Sequence, residues 1–288
     1  MKMFQTGPDR YAPDPDPKYA TIDQRELAMI VGLVALCLPG VLLLASLIGY
    51  LVPDSMPHLQ TCFRDSISHF YYAQFWGGLF IGALVFIATY LFVYKGEDTH
   101  KVEGKLATFA GFAALGVAIF PTSHHGCARS SFTSRAFANF GPVDGSEGTL
   151  GIILRPDLIG YFELIPLSQW IHYFCALFLF AFLAWFAFFV FTTVDDHQRN
   201  PDGSLKPEKL MRNRLYYFCG GVMVVAILAL IAHAVFGSHV EGNRWNALNA
   251  TFWCEAFALW AFGISWMVKG RFFEKLEDEA EKAPDQDS

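Results

Sequence analysis

Asp65, Ser68 and His69 fall within one short stretch, His124 and His125 are adjacent, Ser168 precedes His172 by four positions, and Glu255 stands alone in an apolar run. These residue types can hold a divalent metal. Neutral imidazoles of His69, His124, His125 and His172, with a carboxylate, would bind zinc and leave one position open for water. Metal-bound water ionises near neutral pH, which suits hydrolysis of an ester or amide. Asp65 or Glu255 would then serve as general base, with Ser68 beside them. The spacing carries no HExxH, and His233 and His239 are off an i, i+4 face. Two other arrangements use the same residues. One is a polar cluster that pins helix ends together through hydrogen bonds. The other is bis-histidine haem, with His172 facing His69 or His233, against which stands the lack of a second histidine layer.

The elements that must position these groups are membrane helices. The chain has 288 residues, 53% hydrophobic and only 17% charged, and its charges are gathered so that long runs have none. A bilayer core demands about 20 apolar residues per helix. Spans are expected at 27–52, 70–94, 105–121, 167–194, 215–236 and 251–269, all helical because an isolated strand would leave its backbone unpaired in lipid. The fold class is therefore all-α, a six-helix integral membrane bundle over 27–275. Residues 1–26, with Pro13, Pro15 and Pro17 among Asp14 and Asp16, read as a disordered tail, and 276–288 as an acidic tail.

Basic residues set the expected orientation. Lys95, Lys101 and Lys105 follow the second span, Arg199, Lys206, Lys209, Arg212 and Arg214 the fourth, and Lys269, Arg271 and Lys275 the sixth. The positive-inside rule then makes both termini cytoplasmic and leaves a long exoplasmic loop, 122–166, between helices 3 and 4. Of nine histidines, only His100 and His197 fall on the cytoplasmic side. His69, His172 and His233 enter or leave spans at similar depth, and Glu255 lies about a turn into the last, where a carboxylate reads as functional because burying it is costly. Tyr71, Tyr72, Trp170 and Tyr173 are expected in one aromatic belt, Tyr94, Tyr216 and Trp266 in the other. Gly78 and Gly82 form a small-xxx-small pair suited to helix packing. The long loop reads as a surface segment or a lid.

A net charge of −6 and no basic face argue against nucleic acid and leave membrane lipids as the expected partners. Of the six cysteines, Cys37, Cys175, Cys219 and Cys254 lie in apolar runs and read as small core residues. Cys62 and Cys127 lie in loops on the side expected to be oxidising, where a disulfide between them can form.

The phrases from Asp65 to Tyr72, Gly116 to Pro121, Ile171-His172-Tyr173, Arg212 to Tyr216, Glu255 and Ala261 to Trp266, with Lys269-Gly270, resemble a group of bacterial six-helix membrane proteins of unknown function, similar in layout to the DRAM and FRAG-like families. That resemblance implies the fold, a bacterial cytoplasmic-membrane address and, by analogy, lipid processing. Ser168 and His172 also resemble the Ser-x3-His element of the CREST hydrolases, whose His-x3-His element this chain lacks. Three functions fit the sequence: a metal-dependent, lipid-directed hydrolase or transferase, a non-enzymatic lipid or small-molecule binder or accessory subunit, and a proton-coupled carrier.

Overall fold

The computed structural model describes residues 24–94, 101–122, 138–140, 162–164, 167–194, 198–237 and 244–270. Its helices are α1 (Gln24–Ile48), α2 (Gln74–Val93), α3 (Lys101–Ile119), α4 (Ser168–Trp185), α5 (Pro207–Phe236), the single turn α6 (Arg244–Ala247) and α7 (Ala250–Lys269). Six of these segments are long and apolar enough to cross a membrane, α4 counting together with the π-helical turn Phe186–Val190 that extends it. Residues 1–23 of the expected N-terminal tail, the expected acidic tail, His124, His125, Cys127 and most of the 122–166 loop lie outside the described residues, while residues 24–26, expected in the tail, open α1. Within that loop, β1 (Ala138–Phe140) pairs antiparallel with β2 (Phe162–Leu164), Asn139 opposite Glu163.

Several element bounds differ from expectation by about four residues or more, and two of these departures have a local physical reason. The second span does not begin at Phe70. Residues Ile67–Tyr72 form a separate 3-10 helix, and Ala73, extended at ψ 137°, breaks it from α2. The fifth begins earlier than its apolar run, at Pro207, whose fixed φ and missing N–H suit a first helical turn.

The helices close into a ring in which α1 packs on α7, α7 on α5, α5 on α4, α4 on α3, α3 on α2 and α2 on α1. The α1–α7 contact is the closest. A Cβ added at Gly32 would lie 2.8 Å from the Gly263 carbonyl oxygen, and one at Gly263 would lie 2.6 Å from that of Gly32. Gly78 and Gly82 do not serve this purpose: a Cβ at either meets nothing within 4 Å. Inside the ring, Trp266 is fully buried among Tyr90, Tyr94, Phe186, Phe191 and Phe262, stacked on Phe186 at 5.9 Å. It is a core residue and not part of an interfacial belt. Trp170 and Tyr173 are exposed as a belt requires.

Candidate functional site

The candidate residues meet at the end of the bundle where α3 finishes and α2, α4 and α7 begin. A helix leaves its last four carbonyls without intrahelical donors, and in apolar surroundings each needs a partner. The carbonyls of Ile119, the last residue of α3, and of the three residues that follow it each find one in a side chain. Tyr71 Oη donates to Ile119 at 2.9 Å, His172 Nδ1 to Phe120 at 2.7 Å, Ser168 Oγ to Pro121 at 3.0 Å and Tyr72 Oη to Thr122 at 2.6 Å. Ser168 and His172 share one face of α4, as their spacing predicts, and that face lies on the end of α3. Tyr71 and Tyr72 are buried and cap carbonyls instead of joining an interfacial belt. Burial raises the Tyr72 phenol above its ordinary 10.0, with Tyr71 acting in the same direction.

The start of the 3-10 helix is tied to α7. Ser66 caps it, its Oγ accepting from Ser68 N–H at 3.1 Å. That hydroxyl donates to the Glu255 carboxylate, 3.0 and 2.9 Å from its two oxygens, and Ile67 N–H donates to the same group at 2.6 Å. In return the Asp65 carbonyl accepts from Phe252 N–H, at 2.8 Å, in the first turn of α7. Glu255 therefore has its intramembrane partners, and they are the turn that carries Ser68.

Ser68 and His172 face each other directly, Oγ to Nε2 at 3.0 Å. A carbonyl oxygen only accepts, so Nδ1 of His172 bears the hydrogen given to Phe120, and Nε2 presents its lone pair to the Ser68 hydroxyl. Both residues are buried, at 9% and 3% exposure. His69 lies close enough to His172 to interact with it electrostatically. Its Nδ1 is 2.5 Å from Asp65 Oδ1, and the Asp65 side chain is 43% exposed, the most open of the group.

Arg64 was not among the sequence's candidates, yet it is 1% exposed and lies over the Phe70 ring at 5.5 Å. Burial lowers its guanidinium from the ordinary arginine range to about 10, with neighbouring Asp65 acting in the opposite direction. It stays cationic at neutral pH. The signal available for it was an arginine directly before an acid in a loop, which reads equally well as topogenic charge.

Two left-handed residues start the helices that carry the site: Leu167, at φ 74°, precedes α4, and Asn249, at φ 50°, precedes α7. Asn tolerates this conformation and Leu does not, so position 167 stores strain beside Ser168.

The structure thus joins Asp65, Ser68, His69, His172 and Glu255 in one layer. The ring of His233 is stacked on that of Trp245 at 4.5 Å. Among the described residues no group of three or more His, Cys, Asp or Glu side chains is placed to hold a metal ion. His172 has both ring nitrogens engaged and would have to give up Phe120 or Ser68 to become a ligand. Cys62 is disulfide-bonded, and Cys37, Cys175, Cys219 and Cys254 are free; Cys127, its expected partner, lies outside the described residues.

The opposite end repeats the same device. Lys209, read from sequence as topogenic charge, is buried and donates to the carbonyls of Phe191 and Thr193, while Asn213 donates to that of Thr192. No protein-family model, curated protein or solved structure matches the chain.

Proposed function

We propose that the chain crosses a bacterial cytoplasmic membrane six times with both termini inside, and that its Asp65–Glu255 layer faces outward and acts on lipid as a hydrolase or transferase. The lysines and arginines after the second, fourth and sixth spans support the orientation. The observation that carries the activity is the meeting, at one helix-end level, of a hydroxyl, two imidazoles and two carboxylates from three separate parts of the chain. Acid and base groups at headgroup depth suit ester or amide chemistry there. A zinc-dependent form of this reading would draw on His124 and His125 together with His69.

The test is purified protein in vesicles of phosphatidylethanolamine and phosphatidylglycerol, with lipid products followed by mass spectrometry. Wild type is expected to generate a lysolipid or an acyl-exchanged lipid, and the variant carrying both Asp65→Asn and His69→Gln is expected to generate far less. An unchanged lipid profile with well-folded wild type in these vesicles overturns the reading.

A second reading is favoured by the capping of all four carbonyls from Ile119 to Thr122. On that reading the layer only pins helix ends, and the protein is a non-enzymatic binder or accessory subunit. Vesicles that stay chemically unchanged are its expected result.

A further inference from the structure

The geometry points to Ser68 as a nucleophile activated by His172, in a metal-independent acyl transfer from a lipid ester. This inference rests on the lipid-directed reading above and names the reacting groups of the same site.

Its first support is a contrast with a set of hydroxyls on the long helices and at their ends. Ser46, Thr89, Thr108, Thr192 and Thr193 donate to a carbonyl four residues back, Ser265 to one three residues back, and Ser168 to the end of α3. That is the ordinary way to satisfy a hydroxyl in a membrane helix. Ser68 instead donates to an imidazole 104 positions away. The second support is the base. The Phe120 carbonyl fixes the His172 tautomer and ring orientation, so a nucleophile, a base and an orienting group stand in line, the arrangement that activates a serine. The third is the mounting. Ser68 N–H is held by Ser66 Oγ, and Ser66 by Glu255 on α7, so Glu255 is a positioning residue for the nucleophile. The fourth is charge. His69 follows Ser68 directly in the chain, so the His69–Asp65 pair places an imidazole and a carboxylate beside the dyad.

In the first step Ser68 Oγ attacks the carbonyl carbon of the ester while His172 Nε2 takes the hydroxyl proton. The tetrahedral intermediate collapses, the alcohol oxygen leaves with the proton from His172, and the acyl group stays on Ser68. Water, or the hydroxyl or amine of an acceptor, then attacks the acyl carbon as His172 removes its proton. Ser68 leaves and recovers that proton, giving a free acid with water and an ester or amide with the acceptor.

The experiment treats the purified full chain, in the vesicles described above, with an alkyl fluorophosphonate, which loses fluoride to an activated serine. Labelling is read by peptide mass spectrometry and lipid turnover is followed in parallel. The expected result is label on Ser68, none in Ser68→Ala, and a rate lowered roughly 100-fold or more in His172→Gln. A Ser68→Cys variant guards against misfolding of the alanine variant: its thiol at position 68 is expected to react with iodoacetamide faster when His172 is present than with His172→Gln. Label on Ser68 without lipid turnover supports the nucleophile and removes the lipid substrate. Turnover that survives Ser68→Ala, with no label, overturns the nucleophile and leaves the lipid-directed reading standing. Absence of both label and turnover in well-folded wild type overturns both.

Discussion

Ser66 Oγ lies 2.9 and 3.0 Å from the two carboxylate oxygens of Glu255, joining residues 189 positions apart. The contact ties the turn that carries Ser68 to the last membrane helix, so it couples the stability of the bundle to the geometry of the site. Replacing Glu255 by Leu leaves the Ser66 hydroxyl and the Ile67 N–H without an acceptor, and each buried orphan costs about 1–3 kcal/mol. Glu255→Gln keeps one acceptor oxygen and is expected to cost less. In a double-mutant cycle of Ser66→Ala with Glu255→Leu, read by thermal unfolding in detergent, a coupling of about 0.5–3 kcal/mol is expected. Simple additivity of the two losses would show that the contact does not form. A merely structural Glu255 would leave the fluorophosphonate rate at Ser68 untouched in the folded Glu255→Gln variant, whereas a positioning role lowers it.

The tyrosine caps on α3 make a separate expectation. Tyr72→Phe removes the donor to the Thr122 carbonyl and should destabilise the protein by about 1–3 kcal/mol at neutral pH. The buried phenol titrates above its ordinary 10.0, so the folded chain holds a proton that the unfolded chain has begun to release. Stability from this group is complete below about pH 10 and falls as pH rises beyond it. Comparing unfolding at pH 9 and pH 11, wild type should lose more stability than Tyr72→Phe. Equal losses in the two proteins would mean that the phenol is not held in this way.

Much of this architecture was legible in the residues. Apolar length alone gives six membrane helices, because lipid leaves the backbone no other choice. The approach of His69, His172 and Glu255 was legible too, since each lies near a span end at matching depth. What the sequence hid are contacts whose partner is a backbone carbonyl, which no residue type announces. Tyr71 and Tyr72 read as belt residues and Lys209 as topogenic charge, yet all three cap helix ends. The pairing of Ser68 with His172 depends on how the end of α3 is shared between α4 and the 3-10 turn, a tertiary fact. Ala73 was opaque as well: an alanine favours helix, yet this one is extended between the 3-10 turn and α2.

Metal dependence separates two versions of the site. With Nδ1 on Phe120 and Nε2 on Ser68, His172 is already satisfied, so a chelator should leave both Ser68 labelling and the unfolding temperature of the purified protein unchanged. Added zinc should slow labelling if it draws His172 away from Ser68. A protein that loses labelling in chelator and regains it with stoichiometric zinc would return the site to a metal mechanism.

The α1–α7 contact gives the sharpest steric expectation. At Gly32 a methyl group would meet the Gly263 carbonyl oxygen at 2.8 Å and Met267 N at 2.9 Å, and at Gly263 it would meet the Gly32 carbonyl oxygen at 2.6 Å and Leu36 N at 2.9 Å. These are backbone atoms and cannot rotate aside, so the helices must separate. Overpacking of this kind costs about 1–3 kcal/mol, more than the roughly 1 kcal/mol gained by replacing glycine with alanine in a helix. Gly32→Ala and Gly263→Ala should therefore lower the unfolding temperature. Gly78→Ala and Gly82→Ala, with nothing within 4 Å, should leave it unchanged or raise it. Because α7 also carries Glu255, moving it off α1 should strain the Ser66 contact, and Gly263→Ala should slow Ser68 labelling while Gly82→Ala does not. If Gly32→Ala proves as stable as Gly78→Ala, the close packing of α1 on α7 is not a feature of the folded protein.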